Sequence, residues 1–251
     1  MDLSLTALAV GTLALRPYVF VFLAAFLAAG AADLGWRRTL LFGAWVWPVA
    51  WIAEFSSTRA GIPFGVYHYT GVTRGQELYI ANVPFFDSLS FTFLAYAAFC
   101  LARLVLRERR ASRLALTVVG GGLMMLLDVV IDPLAVRGER WFLGRIFYYP
   151  DGGTYFGVPL SNFAGWALVG ATGIGGYLWL AGDVMGRRTW PGVALYYAVL
   201  AFNTAMTAWI GEWILAFVGL LIHAIAALGW VALYRRDRAQ LRVETKGLQG
   251  V

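Results

Sequence analysis

Residues 114–135 read L-A-L-T-V-V-G-G-G-L-M-M-L-L-D-V-V-I-D-P-L-A, and this stretch decides both the fold class and where the chemistry is to be sought. No charge interrupts it from Leu114 to Leu127; then Asp128 and Asp132 arrive four residues apart, with Pro133 directly behind. A hydrocarbon core about 30 Å thick takes about 20 apolar residues of helix, so the run reads as a membrane span whose last turns carry acids. If the helix continues to Asp132, the spacing puts both carboxyls on one face. Pro133 is expected to end it.

Similar apolar runs occupy 17–34, 39–53, 86–106, 160–181, 190–210 and 213–234. Together they predict an all-α, polytopic transmembrane bundle of about seven spans. Six or eight stay open, because the second run is short and only Gly211-Glu212 separates the last two. Composition agrees: 60% of residues are hydrophobic and 14% charged, against about 45–50% and about 25% in soluble domains. Residues 3–15 are too few to cross and are cut off by Arg16-Pro17, so 1–16 reads as an N-terminal interfacial segment and not as a signal peptide, Asp2 standing where a basic region belongs. Residues 17–234 then form one transmembrane catalytic domain and 235–251 a basic tail.

The net charge of +6 would suit nucleic acid if its arginines were spread over a soluble surface, but they are sorted by loop. Arg37 and Arg38, the group Arg103 to Arg113, Arg187 and Arg188, and the tail from Arg235 fall at every second turn of the chain. That sorting follows the positive-inside rule. It predicts a multi-pass protein of the inner (cytoplasmic) membrane with its C-terminus in the cytoplasm, no nucleic-acid partner, and loops 54–85 and 131–159 on the opposite face. The basic loops read as solvated surface near anionic lipid. Cys100 stands alone, so neither a disulfide framework nor a thiolate metal site is available.

Carboxylates sort the other way. Glu54, Glu77, Asp87, Asp128, Asp132, Glu139, Asp151 and Glu212 all fall toward the non-cytoplasmic face of this topology. Glu54 and the two aspartates are expected at helix C-termini, where the dipole works against an ionised carboxyl. Their surroundings look repeated. One span ends at Glu54, passes through I-P-F-G-V-Y-H-Y and re-enters at N-V-P-F-F; another ends at Asp128 and Asp132, passes through Y-Y-P-D-G-G-T-Y-F-G-V-P-L and re-enters at S-N-F-A-G-W. Such a weak parallel repeat would gather two acid-bearing helix ends and two Phe-Gly loops around one mouth. Most of the aromatics belong to an interfacial belt, but Phe64, Tyr67, Tyr69, Trp141, Tyr148, Tyr149, Tyr155, Phe156 and Trp166 crowd these loops more densely than a belt needs. Gly61, Gly65, Gly152, Gly153 and Gly157, with Pro63, Pro84, Pro150 and Pro159, mark the loops as folded back on themselves. Aromatic walls, a few carboxyls and an apolar floor suit a long hydrocarbon.

The segments E-F-S-S-T-R-A-G-I-P-F-G-V-Y-H-Y-T, V-P-F-F-D-S-L-S-F-T-F-L-A-Y, D-V-V-I-D-P-L-A and Y-F-G-V-P-L-S-N-F-A-G-W, in that order over about residues 17–234, resemble the carotenoid biosynthesis protein family, which includes carotenoid 1',2'-hydratases and bisanhydrobacterioruberin hydratases. The resemblance implies an integral membrane enzyme that adds water to the terminal double bond of an acyclic carotenoid end such as lycopene, gamma-carotene or a C50 precursor. It implies a carotenoid substrate, membrane lipid around it, and association with other enzymes of the pathway. Such hydration needs a proton on the less substituted carbon, a tertiary cation held briefly, and a water under general-base control. Asp128 and Asp132 are the expected acid and its partner, with Glu54 supporting them or activating water. Phe64, Tyr67, Tyr69, Trp141, Tyr155, Phe156 and Trp166 would bind the substrate and face the cation, Asn162 would orient water, and His68 would shuttle protons.

Other classes fit less well. A transporter explains many spans and acids, but no charged residue is expected at mid-bilayer and no inverted repeat is visible. A di-iron hydroxylase needs more ligands than His68 and His223 supply, and a non-catalytic carotenoid-binding scaffold has no use for the acids. Neither a metal nor another cofactor is expected, since the glycine clusters at 120–122 and 173–176 lie inside apolar runs and not after a strand. Asn203 and His223 read as interhelical hydrogen-bonders, and Ala167, Ala171 and Gly175 as a face for close helix packing.

Overall fold

A computed structural model describes residues 4–106, 111–182 and 186–248, with side chains through 232. Among these the chain forms eight helices: α1 (Leu5–Leu15), α2 (Pro17–Asp33), α3 (Trp36–Ala60), α4 (Phe85–Val105), α5 (Arg113–Ala135), α6 (Leu160–Ala181), α7 (Trp190–Trp209) and α8 (Trp213–Leu248). Four two-residue strands lie in the long loops: β1 (His68–Tyr69), β2 (Tyr79–Ile80), β3 (Val83–Pro84) and β4 (Phe147–Tyr148). Five helices, α3, α4, α5, α6 and the Trp213–Ala232 part of α8, are long and apolar enough to cross a membrane. The pair α1 and α2, bent by 90° at Arg16-Pro17, makes a sixth if counted as one span. This is a multi-pass, all-helical membrane protein. Arg107, Arg109, Arg110 and the side chains of the tail from Arg235 lie outside the described residues.

Two helix ends differ from the sequence expectation. The second apolar run stops at Ala53, yet α3 continues through Ser56, Ser57, Thr58 and Arg59 to Ala60 and closes on Gly61 in the left-handed conformation (φ 72°). Polar residues that cannot extend a hydropathy run still extend a helix. Pro133 does not end α5 either, which runs on to Ala135. A proline removes the N–H that would bond the carbonyl four residues back, here that of Val129, and the Tyr155 hydroxyl donates to that oxygen instead at 3.2 Å. Glu54 and Asp128 therefore sit inside their helices. The dipole effect, confined to the last turn, reaches Asp132 but neither of them.

Around α4 the helices α2, α3, α5 and α7 are packed, and its Ala95, Ala97, Ala98 and Ala102 have no exposed surface. α5 and α6 approach most closely, as the small residues of α6 predict. A Cβ on Gly121 would lie 2.5 Å from the Ala167 carbonyl oxygen and 3.0 Å from the Ala171 Cβ. Lipid supplies little hydrophobic drive between helices, so such backbone-to-backbone packing is what holds them. Asn203 and His223 do not bridge helices. Each bonds the carbonyl four residues back on its own helix, Asn203 to Val199 and His223 to Gly219, both at 2.9 Å.

The suspected repeat is built into the backbone, in a register different from the one the Phe-Gly pairs suggest. After α3 the chain turns at Gly65 (φ 91°) and enters β1; after α5 it turns at Gly144 (φ 75°) and enters β4. β1 and β4 pair antiparallel, His68 opposite Tyr148 and Tyr69 opposite Phe147, which joins the two loops. Each loop then re-enters a helix through Val-Pro, Val83-Pro84 before α4 and Val158-Pro159 before α6. Phe156-Gly157 falls in a later turn, bridged by Tyr155 and Val158.

Charge burial also departs from the sequence reading. Arg103 does not belong to a solvated face: it is 1% exposed and ion-paired with Asp33, an acid on the arginine-rich side. The backbone N–H of Arg188 donates to the same Asp33 carboxylate at 3.0 Å, which pins the loop before α7 to the end of α2. Arg16, equally buried, pairs with Glu77 at 3.0 Å and donates to the Leu143 carbonyl, so the α1–α2 bend is tied to both long loops.

Candidate active site

The C-terminal parts of α3 and α5 and the first turns of α4 and α6 converge beneath the paired strands. Glu54 comes from α3, Asp87 from the first turn of α4, Asp128 and Asp132 from α5, and Asn162 from the first turn of α6. All are buried except that Asp87 is half-buried on the residue average. Glu54, Asp87, Asp132 and Asn162 line one small chamber with Phe64, Tyr67, Tyr69, Phe91, Phe147, Tyr149 and Trp166. Its free volume is about 30 Å³, enough for water, which needs about 10–15 Å³.

A larger cavity of about 80 Å³ adjoins it, walled by α2, α4, α5, α7 and the 141–147 loop. Tyr18, Phe22, Phe93, Trp141 and Phe202 make it aromatic, and Asn203 is a polar group on its wall. Asp87, Phe91, Asp132, Phe147 and Trp166 line both spaces. The polar chamber thus adjoins an apolar slot, with two carboxyls at the junction.

Asn162 organises one side. Its amide donates to Asp128 Oδ2 at 2.6 Å and to Asp132 Oδ2 at 2.8 Å. The Trp166 indole adds a bond to Asp132 at 3.4 Å, and the Asp132 backbone N–H reaches Asp128 Oδ1 at 3.2 Å. Asp128 lines neither cavity; it shares the Asn162 amide with Asp132. On the other side the Tyr69 hydroxyl donates to Asp87 Oδ2 at 2.7 Å and lies 3.3 Å from the Tyr67 hydroxyl. Burial, reinforced by nearby Asp87 and Glu54, pushes the phenols of Tyr67 and Tyr69 well above their usual range, so both stay protonated donors. Burial does the same to Tyr149. Glu54 Oε2 is buried without a hydrogen-bond partner. Among the described residues no arginine or lysine is ion-paired with Glu54, Asp87, Asp128 or Asp132, and no three His, Cys, Asp or Glu side chains are grouped to hold a metal ion.

The residues expected to bind substrate separate. Phe64, Tyr67, Tyr69, Asn162 and Trp166 line the chamber and Trp141 the slot. His68 does not join them. On a strand, successive side chains point to opposite faces, so with Tyr67 and Tyr69 turned inward His68 is exposed and packs beside Tyr148. Tyr155 and Phe156 also stay outside both spaces: Tyr155 caps the Val129 carbonyl and Phe156 offers its own carbonyl to Arg137 at 2.7 Å. Phe91 and Phe147 line the site without any mark in the sequence, whereas Asp87 stands among the acids of this face and Tyr149 among its crowded aromatics. A signal for Asp87 existed, since V-P-F-F-D and V-P-L-S-N place Asp87 and Asn162 third in their helices.

Residues 13–226 match the family model described as carotenoid biosynthesis protein. The chain belongs to the carotenoid biosynthesis protein family. It is similar to a bisanhydrobacterioruberin hydratase of Haloarcula japonica, 34% identical over 167 residues that cover 64% of this chain and 54% of the relative. The match thus spans about half the length of that curated relative. No solved structure matches the chain.

Proposed function

We propose that this protein is a carotenoid 1',2'-hydratase, adding water across the terminal C=C of an acyclic carotenoid end to give a tertiary alcohol. The observation that carries the reading is the junction itself: Asp132 lies where an aromatic, apolar slot meets a chamber with room for water. A hydrocarbon end sliding down the slot would bring its last double bond to that carboxyl. Asp132 then delivers a proton to the less substituted carbon, leaving a tertiary cation on the carbon that bears the two methyls. Trp166, Phe91 and Phe147 face it with their rings; such contacts are worth about 2 kcal/mol or more when desolvated. Water from the chamber adds to the cation and loses a proton, so alkene plus water gives alcohol with no change in oxidation state. Asn162 and Asp128 hold Asp132 in place, and Glu54 anchors water through its unpartnered oxygen. The chemistry is general acid–base throughout and calls on no metal, flavin or nicotinamide. Family membership and the hydratase named among its relatives support the class of reaction.

In this reading the seven helices α2 to α8 span the inner membrane, the arginine-rich loops and the C-terminus face the cytoplasm, and the acid chamber opens toward the other side. Residues 1–16 form an interfacial segment, 17–234 the catalytic domain and 235–251 a basic tail, with other carotenoid-pathway enzymes as partners. Single cysteines in a Cys100-free protein test the orientation: positions in 137–153 should label with an impermeant thiol reagent on intact cells and positions in 103–113 should not. The reverse pattern inverts the topology. Expression in a host that accumulates lycopene tests the activity. Pigments gaining the mass of one water per acyclic end are expected, and an unchanged pigment profile with the protein in the membrane contradicts the proposal.

A further inference from the structure

The site has two halves related by the loop repeat, and they carry different chemistry at matching places. Asp87 and Asn162 each stand third in a helix entered through Val-Pro. In the α5–α6 half the residue is an amide that ties two carboxyls together. In the α3–α4 half it is a carboxylate that accepts a hydrogen bond from the Tyr69 hydroxyl at 2.7 Å. Helix N-termini carry unpaired N–H groups and partial positive charge, which favour an anion; helix C-termini do the reverse, and Asp132 lies in the last turn of α5. Among the described residues only these two carboxyls line both the slot and the chamber, and Glu54, whose Oε2 is buried without a partner, lines the same chamber.

We propose that Asp87 is a catalytic residue, the general base that takes the proton from water as it adds to the cation, opposite the proton donor Asp132. This assignment rests on the hydratase reading and deepens it. The step balances: the C–O bond forms as a water O–H bond breaks, the proton passes to the Asp87 carboxylate, and its return through chamber water to Asp132 resets the site. Tyr69 holds the Asp87 oxygen and is a positioning residue.

The two carboxyls are separated by a partial reaction. In heavy water the cation carries one hydrogen and one deuterium on the carbon just protonated; after rotation it can return the hydrogen, not the deuteron, to Asp132 and regenerate the alkene, which leaves deuterium on the vinylic CH of the terminal double bond with no net hydration. Membranes carrying each variant, at matched protein and pigment content, are incubated with an acyclic-ended carotenoid in heavy water. Asp87→Asn should lower hydration on the order of 100- to 10,000-fold while deuterium still enters unreacted substrate. Asp132→Asn should stop both. Asp87→Glu should recover part of the hydration, and Tyr69→Phe should lower hydration and spare exchange, which gives a second reading if Asp87→Asn does not accumulate. Wild-type hydration in Asp87→Asn, or loss of exchange in step with hydration, overturns the assignment. Wild-type membranes that neither hydrate nor exchange overturn the hydratase reading and this assignment with it.

Discussion

Asp33 and Asp132 are both buried carboxyls at helix C-terminal ends, 2% and 9% exposed, and they meet opposite surroundings. Asp33 faces the Arg103 guanidinium with the Arg188 N–H beside it. Asp132 faces an amide, an indole and a second carboxyl, with no ion-pair partner among the described residues. Paired charge under low dielectric fixes geometry, because either partner left alone is costly. A carboxyl held by an amide and an indole beside a chamber with room for water has no such fixed charge partner. Asp33 is thus held by a charge, whereas Asp132 is left without one, as the proposed chemistry requires.

That contrast breaks most visibly at Asp132. Asp132→Asn keeps the shape and loses the exchangeable proton, so turnover in pigment assays should fall on the order of 100- to 10,000-fold, with membrane abundance and bound pigment unchanged. A variant that falls out of the membrane would make Asp132 a structural acid like Asp33. Asp33→Asn should do the opposite. Removing one partner of a buried ion pair costs about 3–5 kcal/mol, so thermal stability in detergent should drop while the surviving protein turns over at the wild-type rate per molecule. Reduced turnover at full stability would erase the distinction. The smallest effect is expected at His68, exposed on the outer face of β1. His68→Ala should change stability by no more than about 0.5 kcal/mol and leave activity intact; a large activity loss would place a proton path along that face.

Hydropathy makes the helices legible, since a span must be apolar for its whole length, and the apolar runs recover α2 and α4 to α8 within a few residues at their starts. It misses the last turns of α3 because S-S-T-R is polar, although nothing in those residues forbids a helix. Pro133 misleads because its cost is met from outside α5, by a tyrosine in the following loop. Arg103 was legible only as a charge. Its partner Asp33 is distant in sequence, and nothing local tells a buried pair from a solvated arginine. In the site, Asp132, Glu54, Asn162 and Trp166 stand out as polar or aromatic groups in apolar company. The exclusion of His68 follows from strand alternation in Y-H-Y, visible only once β1 is known to pair with β4. Asp87 is legible as one of the acids of this face, and the loop repeat is what sets it opposite Asn162.

The origin of the new oxygen tests the account most directly. Membranes carrying the protein should convert an acyclic-ended carotenoid anaerobically and in the presence of chelator, with heavy oxygen from labelled water in the product hydroxyl and deuterium from heavy water on the neighbouring carbon. A strict requirement for O2, or label arriving from O2 and none from water, would contradict acid–base hydration at Asp132.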